Sequence, residues 1–314
     1  MRVELREDAG GLEEEWWELW RRSAAGPFQS PAWLLAWREC FADGRAAVLT
    51  LRASGRLVGL LPLFELDGRL LAWGAGTSDY LDGVFAPGLD PVPLGHALGH
   101  VLGRALDGLP LDLFQVPPGS PLLAMPAPEG WPDAAGEGEP CPEVALPARL
   151  SRSMAQNLRT ARNRAERAGG LEAAAGGPEL LDALFALHGA RWREHGGGVL
   201  SDARVADFHR AAVPALAASG LLRLYRIAVG GRTAAVLYGL CAKGRFHYYI
   251  GGFDPEMAPI GPGTIAVGHA IDAATAEGAA HFDFLRGREP YKYRWGAVDR
   301  PTGTRRIAPP PTVR

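Results

Sequence analysis

Two glycine turns recur at a single spacing. Gly55-Arg56 is repeated as Gly231-Arg232, and Gly68-Arg69 as Gly244-Arg245, each pair 176 residues apart in a chain of 314. A spacing shared by two turns constrains the fold more than any local propensity, because it makes one half a copy of the other's plan. Around these turns, AVLTLRASGRLVGLLPLFELDGRLLAWGAG and LYRIAVGGRTAAVLYGLCAKGRFHYYIGG each read as three strands joined by two tight turns. Ser54-Gly55, Asp67-Gly68, Gly230-Gly231 and Lys243-Gly244 suit two-residue hairpin loops, where glycine reaches the positive φ required. A helical stretch and a short apolar strand, LDLFQV or HFDFL, follow each meander. The expected fold is α/β: two mixed α/β halves in tandem, each built on a mostly antiparallel sheet.

Nine prolines between residues 117 and 147 predict an extended connector. The expected organisation is an N-terminal half over 1–118, a connector over 119–148, a C-terminal half over 149–300 and a loose tail over 301–314. In the second half, Ser153 with Gln156 forms a capping box ahead of an apolar stripe at Met154, Leu158, Ala161 and Ala165. Pro178 opens a further helix, and a third starts at Asp202, with Pro214 expected to kink or end it.

The totals exclude several function classes. With 47% hydrophobic and 22% charged residues and a net charge of −2, the chain is neither disordered nor the strong cation that nucleic acid attracts. Cys40, Cys141 and Cys241 lie about a hundred residues apart, which offers neither a disulfide framework nor a metal cluster. His96 and His100 are one helical turn apart but lack a third ligand, so no metal is expected. His188, within an apolar stripe, reads as a hydrogen-bonded core histidine. No apolar run is long enough to span a bilayer and the charged N-terminus has no export signal, so a cytoplasmic protein without a membrane span is expected.

Two segments of the second half can carry chemistry. Gly261-Pro262-Gly263-Thr264 sits between a strand and a helix, where unpaired N–H groups and a partial positive charge meet a backbone that an anion can approach. The corresponding loop of the first half, APGLDPVPLG, lacks that sequence, so only the second half looks equipped for a pyrophosphate. In HFDFLRGREPYKYRWG, ionisable groups crowd a strand end. There Asp283 is an ion-pair partner or a candidate base, because a carboxylate buried in a strand must be paired or titrate abnormally. An acceptor is expected in a cleft lined by Asp283 to Lys292 and faced by Tyr80 and Asp82, although Asx turns explain the aspartates of GTSDYLDGVF equally well. A run of arginines from Arg149 to Arg167 reads as a solvated helix face or a grip for a phosphate-bearing substrate or RNA.

Together FQSPAWLLAW, SDYLD, NLRTARNRAER, LHGARW, GGFDP, GPGT and DFLRGREPYKYRWG resemble GNAT-like acyltransferases of the branch tied to cellulose and polysaccharide biosynthesis, relatives of the Fem-type aminoacyl transferases. The resemblance covers most of the chain and implies two GNAT folds in tandem, with the pyrophosphate of acetyl-CoA or another acyl-CoA on Gly261, Gly263 and Thr264. Here Ile-Gly-Pro-Gly-Thr replaces the family's usual Arg/Gln-x-x-Gly-x-Gly/Ala turn, and the proline removes one N–H donor. The resemblance implies direct attack of an amine or hydroxyl on the thioester, with Asp283 or Glu289 as base and Tyr291 as acid. Arg286 and Lys292 would bind an anionic acceptor or the phosphates. The acceptor would be a small molecule or saccharide-linked. Two alternatives are a Fem-like transferase using charged tRNA and a non-catalytic accessory protein of polysaccharide assembly.

Overall fold

The computed structural model describes residues 2–41, 43–104, 106, 108–192 and 198–310, the side chain of Arg104 excepted. It divides into two compact units, Met1–Glu139 with Pro301–Arg314, and Pro140–Arg300.

The first unit holds β1 (Arg2–Arg6), α1 (Glu13–Arg22), α2 (Pro31–Phe41), β2 (Ala46–Ala53), β3 (Arg56–Leu66), β4 (Arg69–Ala72), β5 (Val84–Phe85), α3 (Pro91–Arg104), β6 (Leu111–Val116), α4 (Pro121–Ala124) and β7 (Asp133–Glu137). The second holds β8 (Cys141–Ala145), α5 (Arg152–Arg167), β9 (Leu171–Gly176), α6 (Leu181–Trp192), α7 (Ala203–Ala218), β10 (Leu222–Val229), β11 (Arg232–Ala242), β12 (Arg245–Phe253), α8 (Pro262–Ala276), β13 (His281–Asp283), α9 (Pro290–Arg294) and β14 (Val298–Arg300). The chain then returns to the first unit as β15 (Gly303–Ile307).

The two sheets follow one plan: β1-β2-β3-β4-β6-β15-β7 in the first unit and β9-β10-β11-β12-β13-β8-β14 in the second. All neighbours are antiparallel except β4 with β6 and β12 with β13. The repeat holds to the residue. Ala46 faces Phe64 as Leu222 faces Leu240, and the register slips between Leu51 and Arg52 as it does between Ile227 and Ala228, at the same 176-residue offset. All four hairpin turns have positive φ at both central residues, for instance 48° and 81° at Ser54-Gly55 and 51° and 73° at Lys243-Gly244. That is the primed geometry whose twist matches the strands it joins.

The core of the second unit lies between the sheet and helices α5 and α8, where Phe246 stacks on Phe282 at 4.8 Å and Ile265, Ala270 and Leu158 are buried. Gly268 allows the close approach of the two helices, since a Cβ there would lie 2.7 Å from Leu158 Cδ1. Burial of each such large apolar side chain stabilises by about 1.5–3 kcal/mol.

Four local expectations are corrected. Ser151, not Ser153, caps α5 by accepting from Met154 N. Helix α7 runs through Pro214 to Ala218. The proline-rich stretch carries β7 and β8, because its prolines contribute carbonyls rather than donors: Phe284 N donates to Pro142 O at 2.8 Å and Ala308 N to Pro132 O at 3.1 Å. The expected tail supplies β15, in which Ile307 is fully buried and buried Arg305 pairs with Asp133 at 2.7 Å; residues 311–314 lie outside the described residues.

Candidate functional site

The parallel pair is where the halves begin to differ. In the second unit β12 pairs with β13 only from Arg245 to His247, opposite His281 to Asp283, and then continues to Phe253 paired with β11 alone. Beyond Asp283 the backbone turns to the other neighbour, with Phe284 N donating to Pro142 O. The strands therefore part, and the slot between them holds the packed rings of Tyr248, Phe284 and Tyr291, with centroids 6.2 Å apart for Tyr248 and Phe284 and 6.0 Å for Phe284 and Tyr291.

In the first unit the corresponding gap is filled by the chain itself. Gly59 pairs with Phe85 where Ala235 pairs with Phe253, so the third strand there has eight extra residues and is broken into β4 and β5. The excursion between them packs inward: Trp73 and Tyr80 are buried, and Leu81 N donates to Gln115 O of β6 at 3.0 Å. Asp82 accepts from Ser120 Oγ at 2.7 Å and from Gly83 N at 2.8 Å, and burial pushes its pKa up to about 7 against those two bonds. Tyr80 and Asp82 are thus buried residues of the first unit.

Beside the slot starts α8. Gly261 is left-handed at φ 86° and its carbonyl accepts from Thr264 N and Ile265 N, at 3.0 and 3.2 Å. Pro262 has no N–H, so Gly263 keeps the one N–H of this first turn that no backbone oxygen among the described residues takes. A Cβ on Gly263 would come into ordinary contact with the Phe253 ring, at 3.4 Å. The turn fits an anionic group with a single main-chain donor, and Thr264 is half-buried next to it.

The cluster after β13 has a different logic from the one its composition implies. Asp283 is fully buried, its Oδ1 accepts from Leu285 N at 2.8 Å, and Oδ2 lies 3.7 Å from Arg245. The first unit repeats this pair as Arg69 and Asp112, 3.3 Å apart at the matching positions beside Leu70 and Leu111. An ion pair present in both halves, one of which has its gap filled, belongs to the strand junction. Lys292 is buried and donates to the carbonyls of Leu285, Arg286 and Gly287 at 2.9, 2.7 and 3.0 Å, with Glu289 Oε2 also at 2.8 Å. Its three protons pin the loop. Arg286 is exposed.

What remains near the slot is Glu289, more than half exposed, and the phenols of Tyr248 and Tyr291. Burial raises the pKa of both tyrosines, with Glu289 adding to the rise and the charge of Arg191 opposing it. Both therefore carry their protons at neutral pH. Tyr248 and Arg191 were not singled out by sequence reading; the aromatic run FHYYIGGF marked the strand without saying which ring faces the slot.

Among the described residues, no helix is long and apolar enough to cross a membrane. No curated protein matches the sequence. The fold is shared with the crystal structure of FemX, at 12% identity and TM-score 0.66, covering 96% of each chain. It is also shared with a conserved protein of unknown function from Bacteroides thetaiotaomicron, at 15% identity and TM-score 0.65 over 98% of this chain and 100% of the other. A third similar structure is the C-terminal domain of a putative lysylphosphatidylglycerol synthetase from Agrobacterium fabrum, at 13% identity and TM-score 0.63 over 96% and 92%. Residues 152–293, almost the whole of the second unit, match the family model for an acetyltransferase (GNAT) domain. Over residues 152–293 the second unit is therefore similar to an acetyltransferase (GNAT) domain.

Proposed function

We propose that the second unit moves an acyl group, acetyl in the simplest case, from acyl-CoA to an amine or hydroxyl by direct attack. One observation carries the reading: the parallel strands part beside the first turn of α8, whereas in the first unit the chain itself bridges the corresponding gap. Gly261, Gly263 and Thr264 would hold the pyrophosphate, and the unpaired edge of β12 beyond His247 offers main-chain groups to the arm of the donor. Glu289, exposed and next to Tyr291, takes the acceptor's proton. Tyr291 returns one to the leaving thiolate. Asp283 holds the strand end in place. A link to polysaccharide assembly, or a purely accessory role there, rests on the sequence resemblance alone.

The test is Gly263→Val, whose branched side chain would crowd Phe253 and the anion together. Calorimetry should show acetyl-CoA and longer acyl-CoA affinity falling about tenfold to a hundredfold, the worth of a charge-assisted hydrogen bond. Unchanged affinity in a folded variant would overturn the assignment. Transfer from a charged tRNA is a second reading, favoured by the exposure of Arg152, Arg159, Arg164 and Arg167 along α5. Titration with charged tRNA in place of acyl-CoA decides between them.

A further inference from the structure

Arg191, at the end of α6, has no hydrogen bond or ion pair among the described residues, unlike many of the arginines of the second unit. Its guanidinium carbon is held over two rings, 4.9 Å from the centroid of Phe253 and 5.3 Å from that of Trp192. Stacking on an aromatic face fixes the plane of a guanidinium while leaving its N–H fork unused, and that fork matches a carboxylate in two-point geometry. Phe253 is also the ring that faces Gly263, so Arg191 stands at the slot. The charges of Arg191 and Glu289 act on the same two phenols, Tyr248 and Tyr291, with opposite sign. Both side chains are exposed, so a cation and an anion within reach of solvent act on the same two phenols, which matches a ligand that carries both an ammonium and an acid group.

We propose that Arg191 is a specificity residue that selects acceptors bearing a carboxylate close to the attacking amine, which makes amino acids the substrate class. The inference rests on the acyl-transfer reading of the same site. In it, Glu289 receives the amine and Arg191 the carboxylate. An ammonium proton passes first to Glu289; the acyl carbon then bonds to nitrogen as the thioester C–S bond breaks, the thiolate takes a proton from Tyr291, and the second proton lost from nitrogen restores the phenol.

The experiment compares the proteinogenic amino acids with their carboxamides as acceptors of acetyl from acetyl-CoA, using wild type, Arg191→Gln and Arg191→Lys. Binding of CoA and of each acceptor is measured in parallel by calorimetry. The expected result is a preference of about tenfold or more in kcat/KM for the free acid, lost in Arg191→Gln through KM and partly kept in Arg191→Lys. Equal use of acids and amides by wild type, or an undiminished preference in Arg191→Gln, would overturn the inference. So would a loss of CoA affinity in Arg191→Gln, which would assign the guanidinium to the donor's phosphates. If no acyl group moves but amino acids bind and lose that preference in Arg191→Gln, the carboxylate site stands and the transfer reading falls. If amino acids do not bind at all, the inference falls.

Discussion

The first unit has the meander, the register slip and the strand-junction ion pair of the second, yet lacks both the slot and the glycine turn. Its third strand is interrupted by an excursion that hydrogen-bonds to β6, and its helix α3 begins after Asp90 rather than after a left-handed glycine. The difference teaches which shared features are architecture. Arg69–Asp112 and Arg245–Asp283 recur because a short parallel pair inside an antiparallel sheet needs its end fixed. The slot and the α8 turn do not recur, so folding does not demand them.

The largest effect should come from ending the chain at Arg300. This removes β15 from between β6 and β7, with buried Ile307 and the Arg305–Asp133 pair, whereas β14 and the whole second unit remain. Calorimetry should then show the first unit's unfolding transition lost and the second's retained. Retention of both would mean that the strand is dispensable and the likeness of the two sheets superficial.

Next in size is Tyr291→Phe, for which we expect kcat to fall by about 10²- to 10⁴-fold with acyl-CoA affinity unchanged. Substituting the interior Tyr80 by Phe should leave turnover alone. A parental rate in Tyr291→Phe would remove the proposed acid and with it the functional contrast between the units.

Asp82→Asn tests how completely the excursion is buried. The folded-state pKa of Asp82, about 7, lies above its ordinary value of 3.8 because burial disfavours the charge. The folded state therefore binds the extra proton between those limits, and wild-type stability should be full below about pH 4 and decline as pH rises toward 7. The slope is at most about 1.4 kcal/mol per pH unit. Asparagine can accept the same bonds from Ser120 and Gly83 without ionising, so the variant's denaturation midpoint should be flat over this range and higher than wild type at pH 8. Parallel pH profiles would show that Asp82 is hydrated.

The smallest effect sharpens the comparison most. Asp112→Asn and Asp283→Asn should each destabilise their own unit by about 1.5–3 kcal/mol, the worth of a charged hydrogen bond, and leave CoA affinity intact. If Asp283→Asn instead lowers turnover a hundredfold without loss of stability, Asp283 is the base and the matching pair in the first unit is not its equivalent.

Much of the fold was legible because it is local. The turn pairs impose positive φ on two adjacent residues, and that geometry sets strand pairing on either side, so the repeat of two meanders could be read from four glycines. The helix starts at Asp202 and at Gly261-Pro262 were likewise written in short-range chemistry. The Ser151 cap was missed by two residues because Ser151 and Ser153 both precede the stripe and only backbone φ/ψ separates them.

By itself the sequence determined the two-fold plan, the hairpin registers and the glycine turn at α8, all consequences of backbone sterics within a few residues. Only the tertiary structure decided which strands complete each sheet: β8 and β15 come from segments whose prolines read as loop, because pairing between distant strands depends on burial and on carbonyls that composition does not reveal. It also decided the fate of the charged cluster. Residue type could not tell that Lys292 and Asp283 are consumed by the loop and the strand junction while Arg191, a hundred residues away, lies over two rings with no polar partner among the described residues, since what a charge does is set by the partners the fold brings within reach.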